Sequence, residues 1–228
     1  MALIDAAVAR AFVLENTRLQ RPPHVPEIRL HLADEAMPLW HKTEEELEAV
    51  GLPLPYWAFA WAGGQALARF ILDHAGWVAG RRVTVFAAGA GLEAIASAMR
   101  GAKSVIGTEI DVFARAAQAL NSAENNVSFE ISDADLLTAP MPTTDILLLG
   151  DVFFEQPMSD RVLAMAETFV ATGGTVLVGD PGRSYLPKSR MTCLAEYEVS
   201  TTRALEDALV KKTRVWRLGA GPALANQT

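Results

Sequence analysis

The rhythm of apolar and polar positions changes near Arg82 in this 228-residue chain. Beyond that point short apolar runs alternate with helix-period segments. Candidate strands are Val83–Ala87, Ser104–Thr108, Val127–Ile131, Asp145–Leu149 and Thr175–Val178. Helical stretches lie between several of them, at Leu92–Met99, Phe113–Asn121 and Ser159–Ala171, the last stopped by Gly173. Nearly continuous apolar strands separated by helices predict a parallel sheet covered on both faces. The tail departs from this pattern. Leu194–Thr201 and Lys211–Leu218 read as strands, and the polar loop Arg203 to Asp207 is too short for a crossover helix. They are therefore expected to pair antiparallel.

Residues 1–80 are more mixed and are expected to form an extension to a core domain at 81–228. A short helix is expected near Ala2–Leu14. Pro22, Pro23 and Pro26 then forbid helix, and Ile28, Leu30 and Leu32 alternate as in a short edge strand. Thr43-Glu-Glu-Glu46 has the pattern of a capping box and opens an acidic helix to Val50. Gln65–His74 reads as an amphipathic helix with Leu67, Phe70 and Ile71 on one side.

Composition narrows the function. Twenty Lys and Arg against 27 Asp and Glu give a net charge of −7, which argues against a nucleic-acid binder that works by phosphate neutralisation. The single cysteine, Cys193, excludes an intramolecular disulfide framework and any multi-cysteine metal site. The four histidines are widely scattered, so no metal is expected. No apolar run reaches the ~20 residues of a membrane span, and the N-terminus lacks a signal-peptide pattern. A cytoplasmic protein with a reduced thiol is the expectation.

One segment carries candidate chemistry. Val83-Thr-Val-Phe-Ala-Ala-Gly89-Ala-Gly91-Leu-Glu-Ala94 sits at a strand-to-helix junction. Gly89 permits a tight turn, and Gly91 lets a ligand approach the backbone at the helix N-terminus. The next strand ends in Glu109, an acid at the position that accepts hydrogen bonds from ribose hydroxyls. Two nucleoside cofactors fit this pattern, a nicotinamide dinucleotide and S-adenosylmethionine. The antiparallel ending favours the second, as does the spacing of Tyr185-Leu-Pro-Lys188, which is wrong for a Tyr-x-x-x-Lys hydride-transfer pair.

Further stretches carry a family likeness. They are Glu15-Asn-Thr17, Pro26-Glu-Ile28, Pro55-Tyr-Trp-Ala-Phe-Ala-Trp-Ala-Gly-Gly-Gln-Ala-Leu67, Thr108-Glu-Ile-Asp111, Gly150-Asp-Val-Phe-Phe154, Gly179-Asp-Pro-Gly-Arg183 and Thr213-Arg-Val-Trp216. In this order they resemble the electron transfer flavoprotein beta-subunit lysine methyltransferases, which are seven-strand S-adenosylmethionine-dependent enzymes. The resemblance implies a Rossmann-like class I methyltransferase fold with a seven-stranded, mostly parallel sheet. It implies methyl transfer to lysines of the electron transfer flavoprotein beta subunit, with another protein, such as a ribosomal one, as the alternative substrate. A nicotinamide-dependent oxidoreductase and a catalytically silent binding module are the alternatives in function.

The resemblance also implies roles. Trp61, Ala62 and Gly63 would cover the cofactor, Gly89 and Gly91 would contact its methionyl part, and Glu109 would hold its ribose. Asp133 would sit near the adenine, with Ala134 as backbone donor. Asp151 and Phe154 would face the incoming lysine, Asp151 orienting the amine, with Asp180 and Arg183 as a wall of the substrate channel. Trp57, Trp61, Phe153 and Phe154 supply rings that can attract a cationic lysine. Two positions depart from the family pattern. Its first-strand acid is here Val85, and the glycine that opens the loop is Ala87. Asp151 is expected to take over the cofactor's ammonium.

Overall fold

The computed structural model describes residues 5–33, 54–201 and 208–219. The expected acidic helix from Thr43 to Val50 and the loop Arg203 to Asp207 lie outside the described residues. Seven strands form one sheet: β3 (Arg82–Phe86), β4 (Ser104–Thr108), β5 (Glu130–Ser132), β6 (Ile146–Gly150), β7 (Thr175–Asp180), β8 (Met191–Ser200) and β9 (Val210–Leu218). Their order is β5-β4-β3-β6-β7-β9-β8. The first five are parallel, and β9 pairs antiparallel with both β7 and β8. Chain direction across the sheet reverses between β3 and β6. That reversal opens a crevice at the strands' carboxyl ends, where ligands of such sheets bind. A separate two-stranded ribbon joins β1 (Arg18–Gln20) to β2 (Leu30–Leu32).

The α-helices among the described residues are α1 (Ala6–Asn16), α2 (Ala62–Asp73), α3 (Leu92–Met99), α4 (Val112–Glu124) and α5 (Met158–Ala171). Side-chain alternation along β6 divides the core. Ile146 and Leu148 join the apolar cluster under α2 and α3, whereas Leu147 and Leu149 join the cluster under α5. Each fully buried Leu or Ile contributes about 1.5–3 kcal/mol relative to exposure. Val25, Ile28 and Leu30 belong to the same cluster as α2 and α3, so residues before 81 share the sheet's core.

The third parallel strand is shorter and later than expected. The Val127 N–H bonds to the Ser122 carbonyl and closes the exit turn of α4, so the apolar run begins before the strand does. On β9, Arg217 is buried, while Lys212 and Arg214 both pair with Glu196.

Asn121 ties three elements together from the buried face of α4. Its amide donates to the Ala90 carbonyl at 2.9 Å, and its oxygen accepts from the His31 N–H of β2 at 2.7 Å. The β1–β2 ribbon and the glycine loop are thereby held to the same helix. The tightest approach lies on the other side of the cleft, where Gly63 of α2 meets Gly179 of β7. A β-carbon at either glycine would run into the other's carbonyl oxygen. We expect Gly179→Ala to destabilise the protein by about 2–3 kcal/mol through overpacking against backbone. Gly76→Ala, with open space around it, should change stability by less than about 1 kcal/mol. Urea unfolding monitored by circular dichroism checks both.

Candidate functional site

The carboxyl ends of β3, β4 and β6 converge on a cleft of about 300 Å³. Its floor is the loop from Ala87 to Ala90, and Leu92 and Glu93 of α3 continue it. Ala87 and Gly89 both have left-handed backbone, at φ 48° and 49°. The expected loop-opening glycine is thus an alanine held where L-residues are strained. Gly91, also left-handed, starts α3 and packs against Gln118 and Phe129.

Glu109 closes one end of the cleft. One carboxylate oxygen accepts the Gly89 N–H and the other the Asp111 N–H, both at 3.1 Å. The carboxylate therefore fixes the glycine turn while lining the cleft. Burial raises its pKa, and the backbone donors at Asp111 and Gly89 oppose that shift.

Asp151 sits at the tip of β6 with φ 56°, a strained backbone for a residue other than glycine. Its N–H bonds to the Gly179 carbonyl. Oδ2 accepts the Gly64 N–H at 2.9 Å, so this carboxylate caps the first turn of α2, whose preceding residue Trp61 makes no side-chain cap bond. Oδ1 accepts two bonds from Arg183, at 2.7 Å from Nη2 and 3.1 Å from Nε. Arg183 in turn lies 5.6 Å from the centre of the Trp61 ring. Asp180 accepts the backbone N–H groups of Gly182 and Arg183, and its other oxygen is buried without a hydrogen-bond partner among the described residues. Burial pushes its pKa up to about 6.

An aromatic rim surrounds the mouth. Tyr56 lies 5.6 Å from Phe154 and 6.2 Å from Trp61, and Phe59 packs edge-on to Trp61. The Trp61 indole N–H bonds to the Tyr56 carbonyl at 2.8 Å. Tyr56 and Phe154 are 49% and 37% exposed, so this rim can meet another molecule.

Seven of the residues expected from the sequence line the cleft together: Trp57, Trp61, Gly89, Glu109, Asp151, Phe154 and Arg183. Gly63 lies one turn behind, against Gly179 and Asp151. Phe153 is fully buried in the cluster under α5, because the turn at Asp151 sends it into the core and its neighbour Phe154 outward. Asp133 is exposed beyond β5, and the Ala134 N–H bonds to the Ser132 hydroxyl at 3.2 Å. Neither lines the cleft.

Sequence reasoning passed over Tyr56, Gly64 and Glu93. Glu93 is 7% exposed and lines the cleft between Gly64 and Gly150, where its Oε1 fills the space a β-carbon would need. Burial, and then the nearby Asp151 charge, push its pKa up to about 7, partly opposed by its own backbone N–H. An acid in the first turn of a helix ordinarily reads as dipole compensation, which masked it.

This donor set suits S-adenosylmethionine. It offers a carboxylate at the second strand's tip for ribose hydroxyls, apolar walls and a close backbone approach at the glycine loop. No cluster of three metal-ligating side chains occurs among the described residues.

No family model matches the chain. Curated relatives do. The electron transfer flavoprotein beta subunit lysine methyltransferase of Xenopus laevis is 34% identical over 93% of this chain and 87% of its own length. The proteins of the same name from Danio rerio and Homo sapiens are 32% and 31% identical, over 92% and 91% of this chain and 83% and 80% of their own. Among solved structures, the T. Thermophilus 16S rRNA N2 methyltransferase in complex with AdoMet and guanosine aligns with a TM-score of 0.56 at 16% identity, over 89% of this chain and 50% of that one. Trm5b from Pyrococcus abyssi aligns at 0.51 and 14% identity, over 90% and 56%. The folds agree in the Rossmann-like methyltransferase sheet, and the relatives match along nearly the whole chain. The chain belongs to the electron transfer flavoprotein beta subunit lysine methyltransferase family.

Proposed function

We propose that this protein transfers methyl groups from S-adenosylmethionine to lysine side chains of the electron transfer flavoprotein beta subunit. The reading rests on family membership. The observation in this chain that carries it is the joint placement of Glu109, the glycine loop and Asp151 in one cleft behind an aromatic rim. Within residues 1–80, the segment from Tyr56 to Gly64 serves as a cover for this site, because Trp57, Trp61 and Gly64 line its wall. We place the protein in the cytoplasm, where its exposed Cys193 stays reduced.

When bound, S-adenosylmethionine supplies an electrophilic methyl group on a sulfonium. The residues of the chain hold and orient. Glu109 receives ribose hydroxyls, and the loop at Gly89 allows close approach by backbone. The lysine nucleophile must be neutral, although a free lysine has a pKa of about 10.4. An apolar cleft lowers that value by desolvation, whereas an isolated carboxylate raises it. Asp151 is not isolated. Arg183 and the N-terminus of α2 offset its charge, so it can accept a hydrogen bond from the amine without strongly favouring the ammonium. Tyr56, Trp61 and Phe154 attract the cationic methylated products by about 0.5–2 kcal/mol, an attraction that survives loss of N–H donors. Orientation of the amine is the main contribution asked of the protein.

Intact-mass measurement of the flavoprotein subunit after incubation with the protein and cofactor should show steps of one methyl group each. Methyl addition to a different protein, with none on this subunit, would redirect the substrate assignment. Asp151→Asn keeps an acceptor for the Gly64 N–H but removes the charge. It should lower kcat roughly 100-fold while cofactor affinity changes less than about threefold, read by mass-resolved turnover and calorimetry.

A further inference from the structure

We infer that Glu93 holds the primary ammonium of the cofactor's methionyl group, supplying from helix α3 the carboxylate that β3 lacks at Val85. The inference rests on the proposed cofactor and goes beyond it to a residue outside the family pattern.

Three observations carry it. First, Val85 is an apolar core residue on the face of the sheet under α2 and α3, so β3 brings no charge to the cleft there. Second, the charge of Asp151 is already offset by the Gly64 N–H at the start of α2 on one oxygen and by Arg183 on the other. Lone pairs remain for a neutral amine, but a cation gains little attraction there. Third, Glu93 reaches the cleft wall through a gap made by two glycines, Gly64 and Gly150, and Arg183, the only Lys or Arg among the described residues that line the cleft, is hydrogen-bonded to Asp151. A buried carboxylate without a counter-charge is expensive to ionise, and a cationic ligand relieves that cost.

Three other charged groups line the same cleft, Asp151 from the end of β6, Glu109 from the end of β4 and Arg183 from the loop after β7, and α2 contributes Gly64, which has no side chain. The nearest acid, Asp151, disfavours a second negative charge. Burial raises its pKa to about 7, so in the ligand-free protein Glu93 holds a proton well above the pH at which a free carboxyl loses it. An ammonium that settles against it must displace that proton. The sign for stability follows from the same shift. A folded-state pKa above the usual 4.5 stabilises the fold at low pH, and this contribution is lost as pH rises from about 4.5 to about 7.

The test is calorimetry with S-adenosylhomocysteine, which carries the same amine, in buffers of different ionisation enthalpy. At pH 7 the wild type should release more protons on binding than Glu93→Gln. The variant should bind on the order of 10- to 100-fold more weakly. The analogue with hydrogen in place of the amine should bind both proteins alike. The ligand-free variant should also unfold at higher temperature than the wild type at pH 8, which verifies that it is folded and that the charged Glu93 is a burden before the ligand arrives. Equal affinity and equal proton release in wild type and variant would overturn the inference and leave the methyltransferase reading intact. Proton release that appears only when a lysine-bearing substrate is added would overturn it too, assigning Glu93 to the substrate amine. Failure of the wild type to bind S-adenosylhomocysteine at all would defeat both readings.

Discussion

The structure depends on the contact between the first turn of α2 and the tips of β6 and β7. Gly63 and Gly179 let the two backbones touch, and Asp151 uses that closeness to cap α2 through the Gly64 N–H. Without side chains at these glycines a helix from the N-terminal part of the chain can lie directly on the ligand edge of the sheet. Trp61, immediately before α2, is thereby carried to the mouth of the cleft, and the Tyr56 ring packs beside it. One carboxylate thus joins two parts of the chain that are 87 residues apart.

The same edge concentrates acidic groups in poor contact with water. Glu93, Glu109 and Asp180 all have pKa values raised chiefly by burial. Backbone N–H donors from neighbouring residues restrain Glu109 and Asp180, whereas little beyond its own N–H restrains Glu93. A fold selected for stability alone would not gather them here, and left-handed backbone at Ala87 and Asp151 adds to the strain. Such an arrangement is intelligible where a ligand with hydroxyl and ammonium groups completes it.

Much of the fold was legible because its signals are local. Leu92–Met99 and Ser104–Thr108 are found with the boundaries that the sequence predicts, since apolar period and turn residues agree there. The antiparallel ending followed from the length of one loop. The third strand was misplaced because Val127 serves a helix exit turn, a choice made by hydrogen bonding to Ser122 that apolar pattern does not reveal. In the site, motif residues such as Glu109, Asp151 and Arg183 were readable, but the partner of Arg183 was not, because Asp180 and Asp151 are equally plausible in sequence. Phe153 and Phe154 differ only in which way a strained turn points them. Glu93 escaped notice because its importance comes from two distant glycines that make room for it.

The most direct measurement is a crystal structure of the protein grown with S-adenosylhomocysteine. The account predicts the ligand across the tips of β3 and β4, with its ribose hydroxyls on Glu109 and its sulfur turned toward the opening between Trp61 and Asp151. A ligand bound elsewhere, or a cleft that stays closed to it at saturating concentration, would contradict the account.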